Sequence, residues 1–491
     1  MTSASTICTV RTGLTFGTRV DMQEKVALTL YAMQVTEGQH LRESGTLVRG
    51  AHIITSATPE VITDGAVRIV GEMIDDVGTW VELSTRYPGD SVTGGPHDIV
   101  TPGFVNTHGH FSEALVAGIA EQYTLWEWIQ NVILAINPVL NHEMAYVGTL
   151  LSSMQMLRSG ITTANDMFVC APVNGPITPG VVAALDEIGL RGVVSFGASD
   201  LGPASIPMVM DEHAALLEAA RASRLCRFRV GVAALGSQTD EMFLNTTDLA
   251  VNGGHGVHIH LQEIRDEVTA TRNLHGVTPI AHCERVGTFN APTLAAHCVW
   301  VDAADRDILA ANGVGVAHNP VANMILASGV CPVPELRRLG IDVGMGVDGP
   351  ASNDSQNYLE TMKSAVLLQR IEHLEATALG ARDVLRMATI EGAAALELDH
   401  IVGSIETGKQ ADLVVFDGDA PALVNVHDPF QKIAYCSSPT DVKQVWVAGE
   451  RSVDDGEITN VDQTEVVARS RELARSLVAG AGLSDLSLLA R

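Results

Sequence analysis

The sequence predicts an α/β fold: a (β/α)8 TIM barrel carrying a small β-sandwich domain built from both of its flanks. Three observations carry this expectation. Short apolar runs alternate with helical patterns eight times over about 250 residues, the usual size of such a barrel. Turn-rich β pieces lie both before and after that stretch. Histidines and one aspartate recur at the carboxyl ends of the apolar runs, the end at which barrels carry their chemistry.

In chain order, residues 1–45 show no clear period and read as an N-terminal extension. Residues 46–98 hold short β-rich pieces separated by Gly, Pro and Asp: Thr46-Leu-Val-Arg, His52-Ile-Ile-Thr, Ala66-Val-Arg-Ile-Val and Trp80-Val-Glu-Leu. Residues 403–455 return to that character with Gly403 to Asp417 and Val442-Lys-Gln-Val-Trp-Val-Ala-Gly, and are expected to complete the same sandwich. Between them, residues 99–402 are expected to form the barrel. Its strands are expected at Ile99 to Val105, Ile161 to Ala164, Gly192 to Phe196, Phe228 to Val232, Gly256 to Leu261, Thr293 to His297, Gly313 to Ala317 and Asp342 to Val347. Helical patterns fall at Met144 to Arg158, Val181 to Ile188, Asp211 to Ala222, Ala303 to Ala311 and Val333 to Leu339. Two more follow at Asn357 to Glu372 and Ala381 to Leu396. Residues 456–491 read as a C-terminal helical tail with an amphipathic helix from Gln463 to Ala479. A doubly wound sheet would show the same alternation, but no G-x-G-x-x-G follows the first strand, so dinucleotide binding of that type is unsupported.

Composition narrows the class. The net charge of −27 disfavours nucleic acid and anionic membrane as partners. There is no apolar run of membrane-spanning length and no secretory leader pattern, so a cytoplasmic protein is the simplest expectation. Seven cysteines, with no C-x-x-C, do not make a disulfide framework and fit a reducing compartment.

The chemistry begins at Thr101-Pro-Gly-Phe-Val-Asn-Thr-His-Gly-His110. Strand residues two apart share a face, so His108 and His110 can aim two imidazoles into one cavity. Imidazole nitrogen is a preferred ligand of zinc and related divalent ions. Later strand ends offer His258-Ile-His260-Leu-Gln-Glu263, His297 in Ala-Ala-His-Cys, His318-Asn-Pro, and Asp348 in Gly-Val-Asp-Gly. His258 and His260 would both point inward, and spacing alone does not choose between them. Four or five strand ends converging on such groups imply a metal site.

These motifs resemble the amidohydrolase superfamily, in its branch of hydrolytic deaminases and chlorohydrolases of aromatic N-heterocycles. Pro102-Gly-Phe-Val-Asn-Thr-His-Gly-His, His260-Leu-Gln-Glu, Ala296-His-Cys-Val, His318-Asn-Pro-Val-Ala-Asn-Met, Gly346-Val-Asp-Gly-Pro-Ala-Ser-Asn-Asp and Gly408-Lys-Gln-Ala-Asp-Leu-Val carry it, over nearly all of residues 46–455. The resemblance implies one divalent metal ion per chain, Zn2+ with Fe2+ as the alternative, held by His108, His110, His260 and Asp348. It implies Glu263 as the acid that protonates the ring, with Asp348 and His297 taking the proton of the attacking water. The expected reaction is hydrolytic deamination of an aminated aromatic N-heterocycle such as a purine, pterin or triazine. Deamination of an S-adenosylhomocysteine- or methylthioadenosine-type nucleoside, triazine-type dechlorination and, last, a catalytically silent scaffold are the alternatives. Binuclear members bridge two ions with a carboxylated Lys. Here no Lys lies between Lys25 and Lys363, which favours a single ion. A homo-oligomer is common in such families.

Candidate substrate-binding residues are Trp128, Asn137, Met167, Gln238 and Asn323. Trp128 and Met167, with Phe111, Trp126 and Phe168, follow the first two strands and could stack on a flat ring. Asn319, Ser352 and Asn353 could shape the pocket. Asn137 stands where similar nucleoside deaminases place a Glu that binds both ribose hydroxyls. Gln238 stands where they carry a His. The sugar-reading part therefore looks altered, and the expected substrate bears no ribose or a modified one.

Overall fold

The computed structural model describes residues 44–119 and 121–487. The predicted N-terminal extension lies almost wholly outside them.

Five strands precede the barrel: β1 (Thr46–Ile54), β2 (Val61–Val70), β3 (Met73–Thr79), β4 (Ser91–Gly94) and β5 (Ile99–Pro102). The barrel strands are β6 (Phe104–Gly109), β7 (Ile161–Phe168), β8 (Arg191–Phe196), β9 (Cys226–Val232), β10 (Gly256–Leu261), β11 (Thr293–His297), β12 (Gly315–His318) and β13 (Val343–Met345). Then come β14 (Leu413–Phe416), β15 (Val442–Val447), β16 (Glu450–Asp454) and β17 (Glu457–Ile458). Strands β6 to β13 pair in parallel and close in sequence order, β13 against β6. Their burial is continuous: all eight residues of β7 and all six of β8 are buried. That is the mark of strands covered on both faces, and it explains why they read as apolar runs rather than as alternating ones. The predicted helices between them are present. That of His142–Arg158 starts at Asn141, whose side chain accepts from Met144 N, and Asp302 closes a capping box on Ala303–Ala311.

The flanks build one mixed nine-stranded sheet in the order β17-β16-β15-β14-β5-β1-β2-β3, with β4 on β1. Val48, Val67 and Ile74 from the leading flank share a buried cluster with Leu413, Val415 and Trp446 from the trailing one. The sheet thus curls over a core of its own, and neither flank could bury its apolar face alone. The helix Gln463–Gly480 lies against His142–Arg158, pairing Arg469 with Glu143 and Gln463 with Arg158. No helix among the described residues is long and apolar enough to cross a membrane.

Four local expectations are corrected. Ile99 to Val105 is not one strand. It breaks at Gly103, with β5 pairing in the flank sheet and β6 entering the barrel. A Cβ at Gly103 would sit 2.1 Å from Thr162 Oγ1, so only glycine lets the chain cross so close to β7. Trp80-Val-Glu-Leu is helix (Trp80–Arg86), because Thr79 and Glu82 form a capping box that overrides the β-branched pattern. Thr46 to Arg49 and His52 to Thr55 merge into β1. The helix expected from Ala381 to Leu396 is two, Ala381–Met387 and Ile390–Ala395, separated where Thr389 leaves helical geometry and its hydroxyl meets Ser56.

Candidate active site

The carboxyl end of the barrel gathers the predicted chemistry. His108 and His110 come from the end of β6, His260 from β10, His297 from the last residue of β11, and Asp348 from just after β13, bridged to Gly109. His110 Nε2 and His260 Nε2 are 3.1 Å apart. Asp348 Oδ1 is 3.5 Å from both His108 Nε2 and His110 Nε2. A tetrahedral zinc site with bonds near 2.1 Å has ligand atoms ~3.4 Å apart, so these spacings fit the edges around one small ion. His110 gives its Nδ1–H to the Met167 carbonyl at 2.7 Å, which leaves Nε2 as a lone pair. His108 Nε2 is buried without a hydrogen-bond partner. Several electron-pair donors converge here, an arrangement a divalent cation would satisfy.

Electrostatics agree with that fit. Burial pushes His108 down to about 4, against the pull of Asp348, and also lowers His110 and His260. Ligand imidazoles must be neutral, and burial favours that form in all three. Burial works to raise Asp348, but the imidazoles of His108, His297 and His110 outweigh it and hold the carboxyl well below the usual range. Asp348 and His297 both sit at positive φ (63° and 72°), a conformation that residues with a Cβ adopt mainly where surrounding structure enforces it.

A second row of groups leads away from the cluster. Asp348 Oδ2 is 3.6 Å from His297 Nε2, and the same nitrogen is 3.5 Å from Glu263 Oε2. Burial raises Glu263 above its ordinary value, against the opposing effect of His297. Burial would lower His297, but the carboxyls of Glu263 and Asp348 raise it. An acid inclined to keep its proton thus stands beside a base inclined to take one.

The substrate candidates are placed less uniformly. Asn323 Oδ1 accepts from His297 Nδ1 at 2.8 Å, so Asn323 orients the histidine. Met167 is fully buried, lies against Gly197 and holds His110 through its carbonyl. Trp128 is buried with its indole N–H unpartnered. Asn137, with its amide oriented to satisfy both its oxygen and its nitrogen, can donate to the carbonyls of Ile133 and Val169 (3.1 and 3.3 Å). Gln238 donates to the Ala198 carbonyl at 3.0 Å and accepts from Thr246. Among the described residues, no hydrogen bond joins either of the last two to the imidazole cluster.

Some supporting residues escape sequence reasoning. Glu113 is buried three residues past His110 and accepts from Ala351 N and Ser352 Oγ, both at 3.2 Å. Ser352 also reaches Asp348 Oδ1 at 3.2 Å. The Glu113 carboxyl fills the space a Cβ at Gly349 would need, 1.8 Å from Oε2. Its signal was an acid inside the apolar run Phe111 to Ala117. Ser328 donates to Glu263 Oε1 at 2.9 Å, and Glu267 accepts from Glu263 N at 3.1 Å. A lone serine sixty-five residues away carries no sequence signal.

The chain is similar to known proteins. The family described as "Amidohydrolase family" matches residues 99–452. A 5'-deoxyadenosine deaminase of Methanopyrus kandleri is 34% identical over 436 residues, spanning 86% of this chain and 97% of its own length. A 5-methylthioadenosine/S-adenosylhomocysteine deaminase of Pelotomaculum thermopropionicum is 35% identical over 436 residues, spanning 88% and 98%. The crystal structure of an adenosine deaminase from Xanthomonas campestris with bound zinc superposes with a TM-score of 0.83 at 28% identity, covering 89% of this chain and 99% of that one. With the barrel, the His-x-His pair and the buried His/Asp cluster in place, the chain belongs to the amidohydrolase family.

Proposed function

We propose that the chain is a metal-dependent hydrolytic deaminase of an adenine-type ring, acting on a nucleoside whose ribose is modified at the 5′ position. The observation that carries the chemistry is the row Glu263–His297–Asp348, with gaps of 3.5 and 3.6 Å, set beside the imidazole cluster. Amine is a poor leaving group, so its displacement needs an acid in reach of the ring, and halide displacement is less dependent on one. The curated relatives named above supply the substrate class.

His108, His110, His260 and Asp348 would hold one divalent ion, zinc by the nitrogen and oxygen donor set and by the zinc of the Xanthomonas campestris structure. Fe2+ suits the same donors. The absence of Lys from every barrel strand leaves no bridging carbamate for a second ion. A bound divalent ion supplies acidification of water, towards a pKa of ~7. The side chains do the remaining work. Glu263 delivers its proton to the ring nitrogen beside the amino-bearing carbon, which makes that carbon electrophilic. Asp348 and His297 accept the proton that water loses as its oxygen bonds to the carbon. Asn323 holds His297 so that Nε2 faces both carboxyls. The recovered proton passes to the amine and the carbon–nitrogen bond breaks with its electron pair on nitrogen; the hydroxyl gives its remaining proton back to Glu263, so ammonia leaves behind a ring carbonyl beside a protonated ring nitrogen.

The test is ammonia release from 5′-deoxyadenosine, methylthioadenosine, S-adenosylhomocysteine, adenosine, adenine, guanine and a chlorotriazine, compared as kcat/KM. The 5′-modified adenosines are expected to rank first. Higher values for free bases, or chloride release from the triazine as the main activity, would overturn the substrate.

A further inference from the structure

Behind His108 runs a chain of hydrogen bonds whose directions follow from the Ser195 hydroxyl. Ser195 Oγ lies 2.8 Å from the main-chain carbonyl of Asp166 and 3.0 Å from His258 Nδ1. A carbonyl can only accept, so the single hydroxyl proton of Ser195 points to Asp166. The Ser195 oxygen then has only lone pairs to offer His258, and His258 Nδ1 must carry the proton. His258 is fully buried and touches no carboxylate, so its ring is neutral and its Nε2 is a lone pair. That Nε2 lies 2.8 Å from His108 Nδ1. Two lone pairs at that distance would repel, so His108 carries its proton on Nδ1 and its Nε2 is bare. Asn165 closes the side of the ring, with Nδ2 donating to the Thr107 carbonyl at 2.7 Å and lying 3.3 and 3.4 Å from His258 Nδ1 and Nε2, so that it favours neither tautomer.

We propose that Ser195 and His258 are positioning residues that set the tautomer of His108, so that its Nε2 always presents a lone pair to the metal. The relay starts at a backbone carbonyl of β7, crosses β8 and β10, and ends on β6, so the barrel wall itself dictates which nitrogen is free. The opposite tautomer would aim an N–H at the ion and remove one ligand. His110 reaches the same end by a single bond to the Met167 carbonyl. His108 has no carbonyl on its Nδ1 and uses a second histidine to reach one. This assigns His258 a role that its inward orientation alone left open. It rests on the metal site proposed above.

The experiment measures zinc affinity of the full apo chain by competition with a chromogenic chelator, and the visible spectrum of the Co2+-loaded chain. His258→Phe fills the space but accepts no hydrogen bond, and zinc affinity is expected to fall ~10–100-fold, the usual cost of losing such a partner. His258→Gln can still accept from His108 Nδ1 through its amide oxygen, and is expected to stay close to the parent in affinity and Co2+ spectrum. Ser195→Ala frees the His258 ring to swap tautomers and should weaken zinc, while Ser195→Thr should not. If His258→Phe does not fold, the Ser195 pair, which changes one small group, decides alone. A Phe variant that binds zinc like the parent, or Phe and Gln variants that lose it equally, would overturn the relay. A parent chain that binds no divalent ion would instead overturn the functional reading, and the relay with it.

Discussion

Glu263 sits where one side chain meets three constraints. Ser328 holds one carboxyl oxygen, His297 faces the other, and burial raises its proton affinity. Glu263→Gln keeps the shape and the Ser328 contact but has no proton to give. Metal content is expected to match the parent, while deamination falls at least ~100-fold. Elemental analysis beside steady-state kinetics checks both halves, and normal turnover would take the acid role away from Glu263. The identity of this residue was legible in the sequence, because His260-Leu-Gln-Glu263 puts it three places past a strand-end histidine. Its partners were not. Asn323 arrives from the helix Pro320–Ile325 that follows β12 and Ser328 from the turn beyond it, and only folding brings them to the ends of β10 and β11.

The first turn of the helix Arg265–His275 carries a charge that the fold pays for. Glu267 is buried, and burial raises its carboxyl to about 7 from an ordinary 4.5. One oxygen accepts from Glu263 N and the other has no partner. The folded chain therefore holds this proton more tightly than the unfolded chain. Its contribution to stability is fully present below about pH 4.5, declines as pH rises through 7, and is a constant penalty above that. Glu267→Gln, isosteric with the protonated acid, is expected to melt higher than the parent at pH 8, by up to roughly 3 kcal/mol. The gap should close at pH 5. Thermal melts of both proteins at the two pH values check it, and a variant less stable than the parent at pH 8 would contradict the sign. Elements also explain where sequence patterns misled. Trp80-Val-Glu-Leu has strand-like residues, but a local Thr79–Glu82 capping box satisfies the amides that a helix start exposes.

At the scale of the whole molecule, four strands of one barrel contribute five groups to the buried cluster. An ion bound to the folded chain and not to the unfolded one stabilises by mass action. Chelator treatment is expected to lower Tm and abolish deamination, and stoichiometric zinc to restore both. Elemental analysis should find close to one ion per parent chain, and His110→Ala or Asp348→Ala should lose it. Two ions per chain, or full activity in metal-free protein, would contradict the mononuclear reading.

The sequence by itself determined the alternation of elements, the eight strands, and the residue types at their carboxyl ends. Those features are local: apolar runs of strand length mark buried strands, and period two sets which side chains face inward. Period two cannot say how deep a side chain sits or what it meets across the barrel. It left His258 and His260 equivalent, whereas in the structure His260 closes on His110 and His258 stands behind His108. It joined Ile99 to Val105 into one strand, whereas the two halves pair with different sheets. It offered Asn137 and Gln238 to a ligand, and could not show that Gln238 also donates to the Ala198 carbonyl. Tertiary structure decided these because hydrogen-bond partners and depth are set by strand register and closure, and those depend on residues hundreds of positions apart.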